Sequence, residues 1–373
     1  MEGNIIFGLI FAVCLLYLIC FYQKTAFVDN ALDIHKRIKL RVIYHLGIML
    51  FLLGALRNKH TGTDTIHYCL RYEKIWYDGY DTIVDIWRDA FSSPLSERGY
   101  YLTARYFSYI FPSAQVWLAF LCLLFIVPCS ILVYKYSQVP PLSFMYLLAM
   151  PIYIFVWQGL RQCMAMAICL FALLFATQKK WWQFGLLLFL AFQCHRSSIL
   201  FLLVIPTIYV DADKKLFWGI LGAIIIIVFN PISINRFLLA YLGDIDKIQD
   251  YALNSNLHVV YKMFLLLLLL FSLSYTVKDE LIKQNKINKL FLIFSAYGVI
   301  LQLFSIVILE FFRASFYFSI FNMLLVPNAC HELEKKFPGF PVGICVWLLL
   351  VISCYLMGIF DYWFCWEDRP WFT

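Results

Sequence analysis

Continuous apolar runs, separated by short polar connectors, dominate the chain from end to end. Twelve stand out, at about 4–22, 40–56, 114–134, 141–157, 160–177, 182–194, 197–210, 215–229, 259–277, 290–309, 313–329 and 341–359. About 20 residues at ~1.5 Å each cover the ~30 Å hydrocarbon core of a bilayer, and most of the runs come close to that length. They do not alternate apolar with polar, as a barrel strand must, and a helix satisfies its backbone polar groups internally. The pattern predicts an all-α polytopic membrane protein, one transmembrane domain over residues 1–373 with about twelve transmembrane helices. Two arms of only about 13 and 14 residues flank His195-Arg196. At roughly 20 Å each they predict a turn recessed below the surface.

The polar stretches are unequal. Residues 57–113 form one long loop, in which "TDTIHYCLRYEKIW" and "DTIVDIWRDAF" each begin on a Thr/Asp cap and carry apolar residues at helical spacing. After a proline break, "SSPLSERGYYLTARYFSYIF" predicts an aromatic-rich helix at headgroup depth. We expect all three to be interfacial helices. A second loop spans 230–258, and "DYWFCWEDRPWFT" ends the chain. No internal repeat or low-complexity segment is visible.

Composition agrees. At 63% hydrophobic and 14% charged, with a mean hydropathy of +0.77, the chain has too little charge to cover a water-soluble surface. The first run has an acidic start and no small-residue cleavage site, so it reads as a helix that stays. A net charge of +7 brings no basic block or zinc-finger spacing with it, so nucleic acid is not an expected partner. Of the 12 cysteines, most, such as Cys14, Cys122, Cys169 and Cys354, lie in apolar runs; Cys69 and Cys365 look placed in loops. None shows metal spacing, and we expect neither a metal, nor a cofactor, nor a disulfide framework.

Charge sets the sidedness. Alternate connectors, at 23–39, 135–140, 178–181, 211–214, 278–289 and 330–340, collect lysines. The positive-inside rule makes these cytoplasmic and puts both termini and the long loop outside. With the two boundary cations Arg41 and Lys215, the inner set holds fourteen Lys and two Arg, while the outer set holds ten Arg and four Lys. Topology needs only charge; the planar fork of Arg grips phosphate or carboxylate bidentately. Four outer arginines sit where a run ends or begins: Arg57, Arg161 in "WQGLRQCMAMA", Arg196 in "CHRSSIL" and Arg313 in "EFFRASFYFSI". Each alone can be read as snorkelling to headgroups, but a shared anionic ligand explains the preference for Arg. His195 is either a satisfied turn histidine or a functional group beside Arg196. Asp64 either caps the helix that follows or is a candidate general base, and Glu97 is either an ordinary first-turn acid or a candidate general base.

Several chemistries find no support. There is no H-E-x-x-H, G-x-S-x-G or Walker A pattern, and the acids of "DGYD" and "DIWRD" are weak evidence for a cation. The runs are almost free of charge, with His45, Gln302 and Asn322 the main polar exceptions, which disfavours ion-coupled transport.

In order along the chain stand Arg57 with "GTD" and Tyr68, then "ERGY", "LRQCMAMAI", "CHRSSIL", and "RASFYF" followed by "LLVP". This series resembles the EpsG-like and Wzy-type polysaccharide polymerases of bacterial inner membranes. The resemblance implies a glycosyltransferase joining undecaprenyl-diphosphate-linked oligosaccharide units at the periplasmic face. That lipid-linked oligosaccharide would be both donor and acceptor, in the bilayer, with room for a chain-length regulator protein as partner. On this footing Arg161 and Arg313, assisted by Arg57 and Arg196, hold the diphosphate without a metal. His195, or failing that Asp64 or Glu97, orients or deprotonates the acceptor hydroxyl. Tyr68 and Tyr100 meet the sugars, and direct attack at the anomeric carbon implies inversion. An O-antigen ligase, a membrane O-acyltransferase and a lipid-linked sugar flippase remain alternatives.

Overall fold

A computed structural model of the chain describes residues 2–26, 32–62, 64–77, 83–92, 94–209, 219, 222, 257–305, 308, 310–358 and 362–367. The run expected at 215–229, the loop expected at 230–258 and the acids of "DGYD" fall almost wholly outside them. The described residues are helical, without a β-strand, and membrane-embedded. Among the described residues four helices are long and apolar enough to cross a bilayer, or up to six if each bent pair is one span.

Two compact units emerge. The first contains α1 (Glu2–Ala26), α2 (Leu32–Ala55), α3 (Thr65–Tyr77), α4 (Ile83–Ser92), α5 (Leu95–Ile110) and α6 (Ala114–Tyr136). It continues with α7 (Pro140–Ala149), α8 (Pro151–Gln158), α9 (Leu160–Ala176), α10 (Trp181–Cys194) and a 3-10 helix over Arg196–Leu203. The C-terminal residues 362–367 also belong to it. Within it α2 packs on α6 and α7, α6 on α9, α9 on α10, and α10 on α5, which also carries α3 and α4. Trp117, Phe125, Phe144, Tyr153 and Trp157 fill the core.

The second unit holds α12 (Leu257–Tyr275), α13 (Lys278–Gln284), α14 (Ile287–Phe304), α15 (Glu310–Ser319), α16 (Asn322–Lys336) and α17 (Val342–Met357). A short α11 (Val204–Thr207) straddles the boundary of the two units. Lipid tails are as apolar as leucine, so packing between spans rests on close fit and hydrogen bonds. Buried amides supply these bonds here. Asn328 Nδ2 donates to Asn288 Oδ1 at 2.9 Å, and Asn288 Nδ2 donates to the Leu281 carbonyl at 2.8 Å. Gln302 takes the Ser315 hydroxyl at 2.9 Å and gives its Nε2 to the Val260 carbonyl at 3.2 Å.

Several expected runs are broken. The run at 141–157 bends by 57° between α7 and α8. Pro151 is the cause: it disfavours the helical conformation in the residue before it, and Met150 is extended at φ −89°, ψ 146°. The run at 313–329 divides into α15 and α16 at Ile320–Phe321. Beyond α12 the chain turns by 68° into α13, so part of the expected connector 278–289 is helix. The arm expected at 197–210 is the 3-10 helix followed by α11. Cys69, expected in a loop, is buried on α3.

Candidate functional site

The turn after α2 carries Arg57, and the structure encloses it. The residue is 1% exposed. Its Nη1 donates to the Gly54 carbonyl at the end of α2, and its Nη2 to the Trp157 carbonyl at 3.4 Å, near the end of α8. The guanidinium carbon also lies 5.9 Å from the Trp157 ring centroid. The last carbonyls of a helix have no partner within it and carry the negative end of its dipole. One cation thus serves two helix ends. Burial lowers its pKa from the usual arginine value.

That carbonyl of Trp157 has a second donor in Thr65, whose Oγ1 lies 2.8 Å away and 2.9 Å from the Thr61 carbonyl. Gly62 completes the turn at φ +90°, a conformation L side chains rarely adopt. A Cβ there would stand 2.4 Å from Gln158 Cγ. Asp64 follows on the exposed side, its carbonyl accepting the Tyr68 N–H at 3.3 Å. The turn therefore fixes where α3 starts and where Tyr68 points.

Tyr68 meets Arg161. The Arg161 Nε donates to the Tyr68 hydroxyl at 3.2 Å, and its Nη1 forms an ion pair with Glu97 Oε1. Three remote segments, α3, the first turn of α5 and the first turn of α9, supply one contact cluster. The Arg161 and Glu97 side chains are each 29% exposed, so this charged pair is reachable, unlike Arg57. Tyr100 backs the cluster from behind. It is 4% exposed, its ring 5.8 Å from those of Tyr68 and Trp117, its hydroxyl accepting from Trp117 Nε1 at 3.3 Å. Burial raises the Tyr100 hydroxyl pKa. Tyr100 has no open ring face to offer, whereas Tyr68 is half-buried.

His195 stands half-buried between α10 and the 3-10 helix, which it caps by accepting the Ser197 N–H on Nδ1. The Ser197 hydroxyl lies 2.6 Å from the same nitrogen. An acceptor Nδ1 places the proton of the neutral ring on Nε2, which makes that edge a donor. Arg196 is exposed. What sets α10 beside the cluster is Gly99 on α5: a Cβ there would stand 2.8 Å from Gln193 Cβ. Only glycine allows so close an approach. Arg313 is exposed in the first turn of α15, in the second unit.

Some residues that build the site carried no sequence signal. Gln115 of α6 donates its Nε2 to the carbonyls of Ala55 at 2.5 Å and Arg57 at 3.0 Å. Residues 362–367 strap the turn: the Asn58 N–H donates to the Trp363 carbonyl at 2.7 Å, and the Cys365 N–H to the Leu56 carbonyl at 2.8 Å. Tyr362 adds a 2.9 Å bond to the Leu53 carbonyl. The one cue was aromatic density in the tail. Among the described residues no group of three His, Cys, Asp or Glu stands close enough to hold a metal ion.

A family model, that of the EpsG family, matches residues 40–366. No curated protein matches the chain, and no solved structure does.

Proposed function

The chain belongs to the EpsG family, and on that premise we propose that it polymerises lipid-linked oligosaccharide units into polysaccharide at the outer face of a bacterial cytoplasmic membrane. Membership brings a polysaccharide-polymerase-type membrane function. The donor, the mechanism and the side of the membrane are our reading. The Glu97–Arg161–Tyr68 cluster carries it, because it holds a cation, a carboxylate and an aromatic hydroxyl together in a partly open place.

The chemistry asks for two things. The bond from the anomeric carbon to the diphosphate oxygen must break, with the negative charge that develops on the leaving lipid diphosphate stabilised. The acceptor hydroxyl must lose its proton as its oxygen bonds to that carbon. Arg161 is suited to the first task, since a guanidinium already held by Tyr68 and Glu97 is a preorganised, charge-assisted donor for the developing oxyanion. Its resting partner is Glu97. A diphosphate competes with that carboxylate for the same fork, so donor binding frees Glu97 to take the acceptor proton. Direct attack of this kind inverts the anomeric centre. His195, a donor at Nε2, is better suited to hold a phosphate or sugar oxygen than to act as base. Arg196 would add charge to the diphosphate, and Arg57 would act by fixing the turn that aims Tyr68.

The twelve-span topology with both termini outside belongs to this proposal. It puts α3 to α5, Arg161 and His195-Arg196 on one side. A ligase would use the same donor and the same cluster. An acyltransferase or a flippase gives the cluster no task. Deleting the gene in its own host and running surface polysaccharide on a gel separates the cases. A single repeat left on the acceptor core supports the polymerase. Loss of all repeats means ligase or flippase, and a full ladder lacking acetyl groups means acyltransferase.

A further inference from the structure

Helix α1 makes its main contact with α7, and a crevice of about 400 Å³ remains between α1 and α2. Ligand pockets typically enclose roughly 300–1,000 Å³. Phe21 of α1 and Ile38 and Val42 of α2 give it apolar walls. Three polar groups converge there: Arg41 and His45 of α2, and Tyr17 of α1. The Tyr17 hydroxyl lies 2.9 Å from His45 Nδ1. Among the described residues that line the crevice there is no carboxylate to pair with its cation.

We propose that this crevice binds one anionic phospholipid, its phosphate on Arg41 and a glycerol ester oxygen on the one donor left over from the Tyr17–His45 hydrogen bond. Position selects that occupant. Lys36, Arg37, Lys39 and Arg41 lie together at one end of α2, before the apolar stretch that ends at Ala55. Such a group marks the headgroup level, and basic pockets between spans at that level suit anionic headgroups. Arg41 and His45 are four residues apart on one helix face, so His45 lies about 6 Å deeper. A phospholipid carries its ester oxygens on the tail side of its phosphate, in the same order. Leu16, Leu40 and Tyr44 are exposed around the crevice, so its surroundings are lipid-facing. The site is independent of the Glu97–Arg161 cluster.

The test is the melting temperature of the full-length protein in an uncharged detergent, with phosphatidylglycerol, phosphatidylcholine or inorganic phosphate added at equal concentration. Phosphatidylglycerol should raise it by about 2–4 °C. The other two should not. Arg41→Gln should abolish the rise, and Lys36→Gln, at the same helix end but outside the crevice lining, should keep it. Should Arg41→Gln fail to fold, Ile38→Trp fills the crevice with all four cations in place and should also abolish the rise. An equal rise with phosphatidylcholine or inorganic phosphate overturns the proposal. So does a rise that survives Arg41→Gln or Ile38→Trp, or one lost equally with Lys36→Gln, which would mean diffuse surface charge.

Discussion

Exchanging the two charges of the site, Glu97→Arg with Arg161→Glu, separates a structural ion pair from a ligand-binding one. Two unit charges at ~4 Å attract by about 4 kcal/mol at an effective dielectric of ~20 and about 1 kcal/mol in water. Both side chains are 29% exposed, so solvent screens them and the lower end applies. Breaking the pair by Arg161→Gln or Glu97→Gln should therefore cost about 1 kcal/mol, a fall in melting temperature of no more than ~2–4 °C. The effect on reaction should be far larger. Removing one preorganised donor from a developing oxyanion costs about 10²–10³-fold in rate. In a strain carrying each variant in place of the native gene, protein level by blot should stay near normal while the polysaccharide ladder collapses. The exchanged pair should recover the melting temperature and not the ladder, because it leaves a carboxylate where the diphosphate needs a cation. A ladder restored by the exchange would show that the pair only braces α5 against α9. Near-normal chain length in Arg161→Gln would also refute the diphosphate role.

Three further outcomes are expected. Gly99→Ala should lower the melting temperature, since its Cβ would lie 2.8 Å from Gln193 Cβ and overpacking costs about 1–3 kcal/mol; adding Gln193→Gly should recover only part of it, because the Gln193 backbone would still stand 3.2 Å away. Gly62→Ala should cost about 1–2 kcal/mol, because φ is +90° there, and a melt of purified protein reads it directly. A membrane-impermeant maleimide on intact cells at pH 8 should label exposed Cys365 and leave Cys69 unmodified. Burial pushes the Cys69 thiol up to about 12, so only roughly one molecule in ten thousand is thiolate at that pH. Failure to label Cys365 from outside would contradict the outward C-terminus.

Residues near in sequence announced the helices; contacts between distant ones had to be seen. Apolar length is a local property, so a membrane-embedded all-helical chain could be read directly, as could the helices at residues 65–77, 83–92 and 95–110. The bend at Pro151 was also written locally, but the surrounding run is apolar on both sides and concealed it. Arg57 shows where local pattern stops. An arginine just past an apolar run looks solvent-facing. Its burial depends on a carbonyl 100 residues away, exposed because α8 ends where it does. Cys69 was misplaced for the same reason, since only packing of α3 decides which of its faces is covered.

The sequence by itself determined that this is a membrane-embedded helical protein and that arginines, not lysines, mark the ends of several of its runs. It also supplied the series of short motifs from Arg57 to "LLVP" that the family match spans. Only the tertiary structure decided what those residues do for one another. It pairs Arg161 with Glu97 and Tyr68, turns Arg57 and Tyr100 inward as support, and fastens the 56–61 turn with a strap from more than 300 residues downstream. The reason is physical: hydrophobicity and helix length act over a few turns of chain, whereas an ion pair or a buried carbonyl is satisfied by whatever the fold brings within ~3 Å.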